Sequence, residues 1–312
     1  MANPVFEMSL SLNVLNHLGI NLYSNHPAVL SETVANAWDA DASNVSISLD
    51  LEKERIIVQD DGIGMTADDI NTRFLRVGYR RRASATTATT PSGRAVMGRK
   101  GIGKLALFSV AQTILVETIR DGEKSALLLE LEEINRRIGG DDPGTAKPYF
   151  PKVMPVDSID FQQGTRITLT DLKKSISKTA PHLRRRLARR FSVIGGNHNF
   201  TVTIGGQPLT VSDRDISSKS QYIWIYGTPE QQNTIGAAIH HNPRIEKRKS
   251  ALDENMVISG WIGTAYDTTS LRDASGEEHL NRIPLMIRGK LAQEDILDGF
   301  RKLSSCVESL GV

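Results

Sequence analysis

Apolar positions in the first half of the chain predict helices and strands in turn. Leu12, Leu15 and Leu18 recur at helical spacing, and Gly19 ends that run. Pro27 opens a second helix that gathers Leu30, Val34, Ala37 and Trp38 on one face. Residues 44–50 alternate, with Val45, Ile47 and Leu49 on one side, as a half-buried strand requires. Arg55–Gln59 reads as its hairpin partner, and the segment Asp60–Met65 breaks that strand abruptly. Further helices are expected over Ala67–Leu75 and from Leu105 to about Ala111, with strands at Thr113–Arg120, Ser125–Glu132 and Thr165–Thr170. Two apolar-poor stretches interrupt this order. One is Arg80–Lys100, and the other is the Gly/Pro/Asp-rich 138–152. A loop as long as the first is uncommon in a compact domain unless it has a function.

The second half has a different texture. Pro181–Phe191 predicts a basic amphipathic helix, and Phe200–Val211 a hairpin around Gly205-Gly206. Ser259–Ala265 and Ile283–Arg288 read as strands, and Gln293–Leu303 as a helix. His240-His241 with Arg244, Lys247, Arg248 and Lys249 reads as a basic loop without metal-ligand spacing.

Composition narrows the class. The 312 residues suit two domains, and 39% hydrophobic content with 24% charged residues fits a globular protein with an aliphatic core. A single cysteine, Cys306, excludes an internal disulfide framework and a cysteine-based zinc site. No basic, apolar leader and no long apolar run is present, so a cytoplasmic protein with no membrane contact is expected. The net charge of +2 conceals an asymmetry. Residues through Leu172 hold 18 basic and 22 acidic residues, whereas those from Lys173 onward hold 20 and 14.

Three clusters carry candidate chemistry. On the second helix, Glu32, Asn36 and Asp39 lie at i, i+4 and i+7 and share one face. That stripe is either a solvated helix face or a site. In a site, Asn36 offers a hard oxygen to Mg²⁺ and Glu32 accepts a proton from an attacking water. The second cluster is Asp60-Asp61-Gly62-Ile63-Gly64-Met65 at a strand end. It reads as an ordinary Asp-Gly turn, or as backbone opened to a ligand with Asp60 accepting from an exocyclic amine. The third, Gly98-Arg99-Lys100-Gly101-Ile102-Gly103-Lys104, precedes a helix, where free N–H groups suit a phosphate. It is not a Walker loop: Leu105 stands where that motif needs a hydroxyl, and the segment follows a loop instead of a strand.

Taken together, E-x-x-x-N-x-x-D-A, D-x-G-x-G-M, G-x-x-G-x-G-K and Gly164-Thr165 resemble the GHKL ATPases. These include gyrase B-type subunits, ninety-kilodalton heat-shock chaperones, MutL and MORC proteins and sensor histidine kinases. The resemblance spans about residues 10–172. It implies an α+β fold of the Bergerat type: a two-layer sandwich with helices covering one face of a mixed sheet. It implies ATP and Mg²⁺ as cofactors and ATP hydrolysis as the activity. Carried over residue by residue, Glu32 is the general base, Asn36 the Mg²⁺ ligand, and Asp39 the support beside the nucleotide. Asp60 reads the adenine amino group, Gly62 and Gly64 are the adenine-loop glycines, and Met65 is its apolar wall. Gly98, Gly101, Ile102, Gly103 and Lys104 form the phosphate loop, and Thr165 lies near adenine. Residues 66–100 are then the ATP lid.

On this reading the ATP-binding domain covers residues 1–174, and a smaller transducer-like α/β domain, whole or truncated, covers 175–312. The expected activity is an ATP-gated switch that dimerises when closed and acts on DNA or protein through helix 181–191. A nucleotide-gated module with negligible turnover is the alternative. A histidine kinase would need a phospho-acceptor helix pair before Glu32, where only a short segment precedes. In the gyrase-like and MutL-like branches a basic residue from the second domain reaches the γ-phosphate. No motif places it here. Lys173 and Lys174 stand at the domain junction and read as a solvated strand end.

Overall fold

A computed structural model describes residues 26–76, 89–98, 106–138, 149–176, 180–194, 198–214, 216, 219–237, 239, 244–248, 258–267, 269–272 and 279–297. Outside these lie the expected helix through Leu12–Gly19, lid residues 77–88, Gly101, Ile102, Gly103 and Lys104, and the expected helix beyond Leu297.

The chain divides into two units. The first comprises Met1–Leu209 with Arg288–Lys290, and the second Thr210–Ile287 with Leu291–Val312. The first is built on one mixed sheet of β1 (Asn44–Asp50), β2 (Arg55–Asp60), β3 (Ala111–Arg120), β4 (Glu123–Glu130), β5 (Lys152–Val153), β6 (Gly164–Leu172), β7 (Thr201–Ile204) and β8 (Gln207–Pro208). Their order across the sheet is β5-β4-β3-β6-β2-β1-β7-β8. All neighbours are antiparallel except β1 and β7, which run parallel. The alternation expected in β1 and β2 is realised: Val45, Ile47, Ile56 and Val58 are buried.

Helices α1 (His26–Asp39), α2 (Leu131–Ile138) and α3 (Ala180–Ala188) join this unit. Val29, Leu30, Val34 and Trp38 of α1 enter one apolar core with Ile114, Val116, Leu169, Leu183, Leu187 and Phe191. A smaller cluster, Ile119, Ala126 and Ile159 with Met154, Val156 and Phe161, is separate from it. The expected helix over Ala67–Leu75 is shorter and less regular. One capped turn at Ala67–Asp69 passes into a π-helix at Ile70–Phe74. Before β3, Ala106 is helical and passes into a 3₁₀ turn at Leu107–Ser109, Leu105 lying outside the described residues, and α2 forms where the pattern predicts a strand end and a loop.

In the structure the first unit runs past the boundary expected at residue 174, as far as Leu209. β7 pairs with β1 inside the same sheet, and the apolar stripe of α3 is buried in the first unit's core. The charge assignment changes with it. Residues 175–209 contain Lys178 and five arginines and no acidic residue, while 210–312 hold 12 basic and 14 acidic residues. The basic surplus therefore belongs to the first unit, and the second is slightly acidic.

The second unit contains a three-stranded sheet, with β9 (Ser220–Tyr226) between β10 (Arg244–Arg248) and β11 (Gly260–Ala265). Helix α4 (Pro229–Ala237) packs on β9, its Gln232 amide donating to the carbonyls of Gly227 and Arg248. The basic loop expected near Arg244 is thus an exposed edge strand. β12 (Leu285–Ile287) and β13 (Lys290–Gln293) form a hairpin, so Gln293 ends a strand where a helix is expected to begin.

Phe191 tests the reassignment, because it is fully buried just past α3. Phe191→Ala is expected to destabilise the first unit by about 3–5 kcal/mol. Urea unfolding followed through the first unit's transition by Trp38 fluorescence, in a variant with Trp224 and Trp261 changed to Phe, reads this directly. An unchanged midpoint would return residues 175–209 to a separate domain.

Candidate functional site

Helix α1 is buried around nearly its whole circumference. Of its 14 residues, all but Glu32 and Asn36 are buried. Those two are one turn apart, so a single strip of the helix remains open, and it carries a carboxylate and an amide. Asp39, one turn further on, is 1% exposed. Its Oδ1 accepts the N–H of Met97 at 2.7 Å and its Oδ2 that of Gly98 at 2.8 Å. Asp39 thus holds the first glycine of the expected phosphate loop. A Cβ on Gly98 would lie 2.8 Å from Asp39 Oδ2, which is why glycine suits that place.

Several contacts strap the last described lid residues to the end of α1. Trp38 Nε1 donates to the carbonyl of Ala95 at 3.0 Å. The Ser92 N–H and hydroxyl both donate to Asp41. Arg94 donates to the carbonyls of Ala42 and Asn199 and lies over the rings of Trp38 and Phe200. Residues 92–98 are therefore an anchored part of the expected lid.

Asp60 closes β2 directly opposite Thr165 on β6. Asp60 shares the face of Ile56 and Val58, and Thr165 that of Ile167 and Leu169, which places both polar groups at the end of apolar rows. The Asp60 carboxyl accepts the N–H of Gly62 at 2.9 Å and that of Thr165. Burial outweighs these donors and, with Asp61 adding repulsion, pushes its pKa up to about 7. Asp61 instead serves the sheet, accepting the N–H groups of Ser43 and Asn44 and the Asn44 amide, and so pins the start of β1.

The glycines of this segment permit close approach. Ile63 N–H donates to the Ala40 carbonyl at 2.8 Å, and a Cβ on Gly62 would sit 2.7 Å from that oxygen. Gly64 has a φ of +68°, and its Cβ would collide with the Ile119 carbonyl at 2.0 Å. Met65 is partly buried against the main core. Its N–H donates to Thr118 Oγ1, which in turn donates to the Gly164 carbonyl and lies 3.2 Å from Thr165 Oγ1.

Two residues escape sequence reasoning. Thr118 is one: its only signal is a hydroxyl continuing the buried row of Ile114 and Val116. Lys290 is the other, a basic residue beside Glu32 that no motif places. Its Nζ lies 2.8 Å from Glu32 Oε1, and both side chains are largely buried. Three contacts position it: Ser192 N–H to the Gly289 carbonyl, Arg288 Nη1 to the Val96 carbonyl, and a β-bridge between Phe191 and Lys290. Gly289, with φ of +84°, lies so close to Val193 that a Cβ would be 2.5 Å away. Lys173 instead donates to the Phe108 carbonyl, and Lys174 lies near His26.

Among the described residues, no group of three or more His, Cys, Asp or Glu residues could hold a metal ion. Mg²⁺ keeps several waters and takes one or two protein oxygens beside substrate phosphates. The exposed Asn36 amide beside Glu32 can supply one. Nor is any helix among them long and apolar enough to cross a membrane.

Known proteins share much of this sequence. The chain is 38% identical over 308 residues to a protein of Herpetosiphon aurantiacus named "Putative type II restriction enzyme HgiDII", across 95% of this chain and 46% of that relative. It is 28% identical over 140 residues to the chaperone protein HtpG of Helicobacter pylori (strain ATCC 700392 / 26695), covering 38% of this chain and 22% of the chaperone. Against HtpG of Pseudoalteromonas translucida the figures are 30% over 165 residues, 44% and 25%. The chain thus spans less than half the length of these relatives. Residues 23–165 match the family described as "Histidine kinase-, DNA gyrase B-, and HSP90-like ATPase", a span that contains Glu32, Asn36, Asp60 and Thr165.

Proposed function

We propose that this protein is an Mg²⁺-dependent ATP-hydrolysing switch whose partner is DNA. The observation that carries the catalytic part is the open strip of α1, where a buried helix leaves only Glu32 and Asn36 uncovered. In this reading Asp60 accepts from the adenine amino group, with Thr165 beside it and Gly62, Gly64 and Met65 forming the wall. Asp39 supports Gly98, and the loop through Gly101, Ile102, Gly103 and Lys104 takes the phosphates. Asn36 would hold Mg²⁺, which would supply neutralisation of phosphate charge, and Glu32 takes the proton of the attacking water. Lys290 faces the γ-phosphate. At rest its ammonium is paired with Glu32, which favours slow turnover until a phosphate competes for it. ATP-dependent dimerisation belongs to the same reading.

DNA as the partner is supported by the restriction-enzyme name of the relative and by the arginines of α3. Arg184 donates to the carbonyls of Gln207 and Pro208, so Arg185 is the arginine of α3 chosen for the test. A cationic helix gains affinity by releasing counterions from phosphates, which makes binding fall with salt. Duplex affinity measured across a salt series is expected to show this fall. Arg185→Gln should lower the log–log slope by about one. Absence of duplex binding at low salt, or an unaltered slope, would leave the partner a protein.

Kinetics separate the two residues at the phosphate end. Glu32→Ala should keep ATP affinity and lose about 100-fold or more in turnover, because the carboxylate acts on water. Lys290→Ala should weaken ATP binding while leaving ADP affinity unchanged. Equal loss of binding and turnover on removing Glu32, or equal loss of ATP and ADP on removing Lys290, would make each residue structural.

The Asp60 pKa near 7 gives nucleotide binding a pH dependence. The ionised carboxylate accepts from an amine, and the neutral acid presents a competing O–H. Adenosine affinity should therefore fall about tenfold from pH 8 to pH 6. Asp60→Asn should bind weakly with no slope in that window. Calorimetry at the two pH values decides, and a pH-independent wild type would remove Asp60 from the site.

A further inference from the structure

The face of the second unit's sheet turned away from its buried isoleucines carries an ordered row of aromatic rings. In β9, Ile223 and Ile225 are fully buried, and a Cβ on Gly236 of α4 would lie 3.8 Å from Ile225 Cδ1. Alternation puts Tyr222, Trp224 and Tyr226 on the opposite face, all partly exposed. The register continues the face sideways. Arg244, Glu246 and Arg248 of β10 stand opposite the three aromatics, with Thr264, Ile262 and Gly260 of β11 on the other side. Every β10 residue is exposed, and Ile262 is 39% exposed.

The rings are held in place. Tyr222 and Trp224 lie 6.3 Å apart between centroids with planes 19° apart. Trp224 Nε1 donates to Glu246 at 3.0 Å, and Arg248 donates twice to the same carboxylate. Glu246 is thereby neutralised by its neighbours and fixes the indole. Arg244 lies over the Tyr222 ring at 5.6 Å. Planar rings in a row, flanked by arginines on an exposed sheet face, suit an anionic chain whose own planar groups are exposed. Base–aromatic stacking tolerates any sequence, and guanidiniums track the phosphates.

We propose that this face, centred on Trp224 with Tyr222, Tyr226, Arg244 and Arg248, binds single-stranded nucleic acid by stacking. The proposal rests on the DNA reading above and deepens it, but uses a surface distinct from α3. A duplex hides its base faces and would not engage the rings. An unpaired segment would, placing strand separation or a strand end among the things this switch senses.

The test uses the full chain and a fluorescein-labelled oligo-dT of about 15 nucleotides, with its duplex form as comparison. Anisotropy should show oligo-dT binding at low salt. Trp224→Ala should weaken it about 5- to 150-fold. Trp224→Phe should restore most of the affinity, and ADP affinity should be unchanged in both, showing that the first unit remains folded. Arg244→Glu with Arg248→Glu should weaken oligo-dT binding and flatten its salt dependence. Absence of wild-type oligo-dT binding, or equal binding by Trp224→Ala, overturns the proposal and leaves the face to a protein partner. If oligo-dT binding is lost with Arg185→Gln but not with Trp224→Ala, the platform is overturned and the DNA reading stands. If the duplex alone fails to bind, the α3 contact falls and the platform stands.

Discussion

A helix enclosed by protein can keep unpaired polar groups only along the strip that water or a ligand can reach. Helix α1 obeys this constraint closely: its apolar residues lock it between the sheet and α3, and Glu32 and Asn36 hold the remaining strip. The cost of burying an ionised carboxylate without a partner is high. Asp39 meets that cost with two backbone N–H groups, and Glu32 with the Lys290 ammonium. The same helix therefore supports the lid strap at one end and presents the reactive groups along its middle. Rotation of α1 by one position would bury Asn36 and expose Thr33 and Ala37 instead.

The other wall of the site depends on close backbone approach. The peptide at Gly62–Gly64 runs against the Ala40 and Ile119 carbonyls, leaving no room for side chains. Gly164 completes this wall, since a Cβ there would be 2.0 Å from the Asp60 carbonyl. Thr118 then ties the Met65 amide, Gly164 and Thr165 into one network beneath Asp60. Neutral and ionised forms of Asp60 lie close in energy because burial opposes charge while two N–H donors support it. An incoming amine tips that balance toward the carboxylate.

Placing residues 175–209 in the first unit changes the electrostatic picture. The arginines of α3 flank residues packed in the first unit's core instead of forming a separate platform, and the second unit is left slightly acidic. A cationic helix resting on α1 shares its packing with the helix that carries Glu32 and Asn36. Any partner held by those arginines would bear on the helix that carries Glu32 and Asn36.

Local pattern alone determined β1, β2, the hairpin between them and α1, because a strict period of 2 or 3.6 is written in consecutive residues. It also singled out the Glu32–Asn36–Asp39 stripe and the Asp60–Met65 segment, whose residue types are unusual for their positions. The structure brings Asp60, Thr165 and Gly62 together, although Thr165 is more than a hundred positions away from Asp60. Tertiary structure alone decided the rest. Which of Asp60 and Asp61 faces the site depends on strand register, a choice that pattern can suggest and only pairing enforces. Thr118 acquires its role from β6 lying beside β3. Lys290 meets Glu32 across 258 positions, a contact that leaves no periodicity behind. Strand β7 enters the first sheet through parallel pairing with β1, and parallel neighbours are joined by long connections whose destination is absent from local sequence.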